Sequence, residues 1–74
     1  MEEVLVYETG TQFIIKHSGY YYPFSFMNDR DDLLGIVDDL NMDPTYYSMY
    51  STKEVVEKVS KLDFISIEEW IILN

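Results

Sequence analysis

The chain predicts an α+β fold: an N-terminal three-stranded antiparallel meander followed by two to three helices packed on it, as one domain over residues 1–74. Three observations predict this. Runs of strand-forming residues at Val4–Tyr7, Phe13–Lys16 and Tyr20–Phe26 are separated by short, glycine-bearing turns. From Asn28 onward the apolar spacing changes to that of helices. The 47% hydrophobic and 16% aromatic content is that of a packed core, not of a disordered acidic tail. A chain this short buries only about 60% of its unfolded surface. With no cysteine, no disulfide or thiolate-bound metal adds stability.

Each element has its own warrant. Val4–Tyr7 is apolar, and Glu8–Thr9–Gly10–Thr11 reads as a turn in which Gly10 supplies a positive φ. Phe13, Ile14 and Ile15 lead to a second turn at His17–Ser18–Gly19. In the third run Tyr20, Tyr22, Phe24 and Phe26 share one face, and Tyr21, Pro23, Ser25 and Met27 the other. Pro23 has no N–H, so this strand belongs at an edge or holds a bulge. Asn28 or Asp29 caps the first helix, which Asn41 is expected to stop. Asp43–Pro44 opens a short helix or turn over Thr45–Tyr50. Ser51–Thr52–Lys53–Glu54 is a capping box for a helix to about Lys61, with Val55, Val56, Val59 and Leu62 inward. At the end, Ser66 and Glu69 form a second box flanked by the staple pair Ile65 and Trp70. This favours a helix over residues 66–73, with a strand as the alternative because Trp70–Leu73 is also strand-like.

The first helix holds the unusual charge distribution. Wound at roughly 100° per residue, Asp31, Asp32, Gly35, Asp38 and Asp39 fall on one arc. Leu33, Leu34, Ile36, Val37 and Leu40 fall on the other. Asp31 and Asp32 suit the positive N-terminus, whereas Asp38 and Asp39 oppose the dipole near the C-terminal end. Fourteen Asp and Glu face five Lys and Arg, a net charge of −9 that disfavours direct contact with nucleic acid or an anionic membrane and steers the chain toward basic surfaces. No apolar run is long enough to span a membrane. Met1–Glu2–Glu3 is the reverse of a basic leader, so a cytoplasmic location is expected.

Most chemistry has no residues to perform it. His17, the single histidine, reads as a surface turn residue with nothing to orient it as a base. Ser and Thr lack a nucleophile motif. An EF-hand loop starting at Asp29 would need glycine where Leu34 stands and glutamate where Leu40 stands. No enzyme, cofactor or metal site is expected. The remaining candidate is an interface: Asp31, Asp32, Asp38 and Asp39 as an array of short-armed carboxylates, and Gly35 letting a partner approach the backbone. Tyr21, Tyr46, Tyr47 and Tyr50 are the candidate anchors. Regularly spaced negative charge is what a phosphate backbone presents to a basic groove.

In size, charge, absence of cysteine and use of tyrosine the chain resembles the small acidic proteins that bacteriophages and other mobile elements encode against host defences, the anti-CRISPR and anti-restriction inhibitors. The resemblance implies stoichiometric, non-catalytic binding, in host cytoplasm, to a basic nucleic-acid-binding protein such as a Cas effector or another nuclease. The alternative is a small accessory or homodimeric interaction domain whose acidic face only provides solubility.

Overall fold

The computed structural model describes residues 3–25, 27 and 29–73. Three strands, β1 (Leu5–Glu8), β2 (Phe13–His17) and β3 (Tyr20–Phe24), form the expected meander. Helix α1 (Arg30–Met42) and helix α2 (Lys53–Ser60) follow, then a two-residue strand β4 (Ile65–Ser66) and helix α3 (Ile67–Leu73). β4 pairs antiparallel with β1, so the sheet has four strands in the order β3-β2-β1-β4. The meander reading omitted this strand: two residues are too few for a periodic signal, and only pairing with Leu5 and Val6 defines it.

The central position of β2 explains its composition. Phe13, Ile14 and Ile15 are all fully buried, because both faces of that strand are covered. On one face Val6, Phe13, Ile15 and Tyr22 meet Leu33 and Leu40 of α1 and Trp70 of α3. On the other, Ile14 and Tyr21 meet Val59 of α2, with Tyr7, Leu62 and Phe64 around them. The architecture is therefore three layers, α1 and α3 over the sheet and α2 beneath it. A radius of gyration of 11.5 Å is that of a compact single domain of this length, about 11 Å.

The outer edge of β3 is closed in two ways. Pro23 lies on that edge, where it withholds a donor, and the Tyr50 N–H donates to the Tyr21 carbonyl at 2.9 Å. The segment carrying Tyr50 is the turn of the two readings for residues 45–50, not the helix. Asp43 explains why: its Oδ1 accepts from the Thr45 N–H at 2.9 Å and hydroxyl at 2.7 Å, and its carbonyl accepts from the Tyr46 N–H. Those bonds hold the Asp43 carboxyl below the usual carboxylate range and close a turn before a helix can nucleate.

Other caps depart from expectation in detail. Asp29, one of the two expected caps, does cap α1, its Oδ1 accepting from the Asp32 N–H at 3.0 Å. Asn28 and Phe26 lie outside the described residues. α1 runs one residue beyond Asn41. α2 starts after Thr52 with no side-chain cap. At α3 the Ser66 hydroxyl accepts from the Glu69 N–H at 3.1 Å, the first half of the box. Gly10 is not among the residues with positive φ; the Thr9 hydroxyl closes that turn instead, accepting from the Thr11 and Gln12 amides.

His17 is the clearest correction. It is 2% exposed, as the last residue of β2 rather than the first of a turn. The turn is Ser18–Gly19 alone, both with positive φ (53° and 82°), the two-residue geometry that matches strand twist. Parity then puts His17 on the face of Phe13 and Ile15. Its Nε2 lies 2.7 Å from the Asn41 Oδ1 of α1. An amide oxygen only accepts, so Nε2 carries the proton, and the buried Nδ1 has no partner among the described residues.

Candidate functional site

The acidic helix keeps the division read from its wheel. Leu33 and Leu40 are fully buried, Ile36 and Val37 half-buried, and Asp31, Asp32, Gly35 and Asp38 exposed. Acidic side chains occupy its first turn and no basic one occupies its last. Arg30 is the helix's single cation, and its contact with Asp31 is a long 4.0 Å between two exposed groups, worth little.

What the wheel does not show is a second wall. The turn after α1 brings Tyr47 back alongside the helix, where its hydroxyl donates to Asp39 Oδ2 at 2.8 Å. Its ring stands edge-on to Phe24 at 5.4 Å and to Tyr46 at 4.9 Å. Between Tyr47 and the helix lies an open groove of about 410 Å³ lined by Met27, Asp31, Asp32, Gly35, Ile36 and Asp39. The groove thus joins five of the nine candidate residues: Asp31, Asp32, Gly35, Asp39 and Tyr47. Tyr46, 65% exposed, extends its aromatic wall.

The other three stand elsewhere. Asp38 is exposed but does not line the groove; it stands at the edge of the acidic arc, two turns along from Asp31. Tyr21 is 7% exposed and packs on Phe64 at 5.6 Å in the second core, under α2. Tyr50 is half-buried in that same cluster, and its hydroxyl accepts from Gln12 Nε2 at 2.9 Å. The candidate anchors therefore divide, and Tyr21 and Tyr50 lie apart from the aspartates. They sit on the opposite face of the sheet because the other side of the sheet also needed an apolar cover.

Asp39 also changes meaning. Its place near the helix C-terminus looked unfavourable, at a cost of about 0.3–1 kcal/mol. The charge-assisted bond from Tyr47 offsets it. That bond to Asp39, with burial second, pushes the Tyr47 phenol up to about 12. A folded value above the ordinary 10 means the bond's contribution is complete below pH ~10 and is lost as pH rises toward 12. An ultraviolet titration should accordingly show late-ionising tyrosine, and Tyr47→Phe should remove part of that late step. Early ionisation of every tyrosine in wild type would refute the contact. Tyr22 is also raised, by burial first, and titrates late for that separate reason.

Gly35 is exposed, and a Cβ built on it would meet nothing within 4 Å. No internal contact requires glycine here, yet it costs the helix about 0.5–1 kcal/mol relative to alanine. Gly35→Ala should therefore raise stability by that amount in thermal melts. If the groove is a binding surface, the added methyl on its floor should weaken association in the same variant. A destabilised Gly35→Ala would overturn the reading.

Among the described residues, no three His, Asp or Glu side chains converge to hold a metal ion. No helix among them is long and apolar enough to cross a membrane. Comparison with family models, curated proteins and solved structures gives no match for this chain.

Proposed function

We propose that this protein is a non-catalytic acidic inhibitor that binds a basic, nucleic-acid-binding surface of a host defence nuclease or CRISPR effector, in part by imitating DNA. The observation that carries the reading is the acidic groove itself. Three carboxylates and an exposed helix glycine face an aromatic wall there, and the only cation on the helix is Arg30. A DNA-reading groove offers arginine and lysine, whose guanidinium or ammonium groups pair with carboxylates and stack on tyrosine faces. The reading is tested by adding the purified protein to such nucleases and following cleavage across ionic strength. Inhibition should fall steeply as salt rises from about 0.05 to 0.2 M, because exposed charges carry the association. Inhibition indifferent to salt, or a salt-insensitive homodimer that hides the groove, would favour the accessory-domain alternative.

A further inference from the structure

The groove beside Tyr47 leaves one flank of α1 without a role. On that flank a second hollow, about 490 Å³, lies between α1 and α3. Its walls are apolar: Val4, Leu34, Val37 and Ile67. Leu34 is 41% exposed, so the hollow opens at the surface of the helix. Its rim is polar and of one sign, with Glu3 and Glu68 at the edges. Asp38, the aspartate that the first groove omits, stands between Leu34 and Asn41 on the same helical ridge, at spacings of four and three residues.

Asn41 adds a fixed polar group. It is exposed at the rim, and its Oδ1 is held by the buried His17 at 2.7 Å. The amide nitrogen is thereby turned away from His17 and takes no partner among the described residues. An apolar trough with a few oriented polar groups is the usual form of a peptide-binding cleft.

A second copy of the chain fits this trough poorly, since it would bring another −9 against an acidic rim. The complementary occupant is cationic outside and apolar inside. We propose that the trough receives the apolar face of a basic amphipathic helix of the partner protein, whose lysine or arginine side chains meet Asp38, Glu3 and Glu68. This inference rests on the proposal of a basic partner and extends it. One face of α1 would be read by charge, the other by apolar side chains, and the Asp31–Asp38 ridge lies between them. Helix-in-groove docking needs such an apolar strip with charged margins.

Two synthetic peptides test it: a helix-forming peptide of about four turns with leucine on one face and lysine elsewhere, and a control of equal charge with glutamine in place of leucine. Binding to the full chain would be followed by fluorescence anisotropy, and the site located from amide chemical shifts. The leucine peptide should bind roughly tenfold more tightly than the control, the transfer value of one leucine side chain. Its shifts should centre on Leu34, Val37, Asn41 and Ile67. Leu34→Gln should erase the difference while leaving the control's affinity unchanged, and the half-exposed site lets that variant fold. The milder Leu34→Ala should give an intermediate loss. Equal affinity of the two peptides, with shifts confined to Asp31, Asp32 and Asp39, overturns the trough and leaves the acidic-face reading standing. If neither peptide binds even at low salt, the basic-partner reading falls as well. A dimer that shields Leu34 in sedimentation and shift data overturns the inference in favour of self-association.

Discussion

Reversal of the acidic face, by Asp31→Lys, Asp32→Lys and Asp38→Lys with Asp39→Asn, is expected to abolish the proposed binding to a basic nuclease and leave the fold intact. The effect on binding should be large. Each exposed charge pair is worth about 0.2–1 kcal/mol, and a reversal replaces attraction with repulsion. Three reversals and one neutralisation together give a loss of about a hundredfold or more in affinity. The effect on the fold should be small because opposing terms cancel. Lysine at 31 and 32 opposes the helix N-terminus, whereas lysine at 38 favours its C-terminal end, by about 0.3–1 kcal/mol each. The cap survives, since it uses the Asp29 side chain and the backbone of residue 32. Asparagine at 39 keeps an acceptor for the Tyr47 hydroxyl. Circular dichroism and thermal melting check the fold, and inhibition assays check the binding. A folded quadruple variant that inhibits normally would sink the DNA-mimic idea.

The largest effect on stability is expected at Trp70. It is 4% exposed, meets Phe13 edge-on at 5.6 Å, and donates from Nε1 to Glu8 Oε1 at 3.0 Å. It is how α3, of only seven residues, closes the first core over β1 and β2. Removing a buried tryptophan side chain costs about 3–5 kcal/mol. A domain of this size has about 4–11 kcal/mol in total, so Trp70→Ala should remove a large share of it and lower the midpoint of urea unfolding in proportion. Trp70→Phe should retain the ring contact and lose mainly the bond to Glu8, about 1–2 kcal/mol. Glu8 is exposed and returns to water at little cost. A Trp70→Ala variant within about 1 kcal/mol of wild type would show that the α3 contact does not hold the core.

Much of this was legible in the chain. Apolar runs separated by short turns gave the meander, Pro23 marked its edge strand, and the apolar arc of Leu33, Val37 and Leu40 gave α1 its inward face. Position along one element is a local property, and those elements have strong periods. The acidic face of α1 was legible for the same reason. His-Ser-Gly is a turn-like motif, but strand parity with Phe13 and Ile15 carries His17 into the core. Two residues of β4 carried no readable period at all.

The candidate site divides along the same line. Residue spacing alone determined that Asp31, Asp32, Gly35, Asp38 and Asp39 share one helix face, because helix geometry sets that without reference to the rest of the chain. Only the tertiary structure decided which tyrosines join them. Tyr47 reaches Asp39 because Asp43 turns the chain back along α1. Tyr21 and Tyr50, with similar surroundings in sequence, go to the other side because α2 packs on the opposite face of the sheet. Neighbours on one helix follow from a fixed rotation per residue, whereas contacts between elements depend on which face each layer covers, and that is settled by burying apolar area over the whole domain.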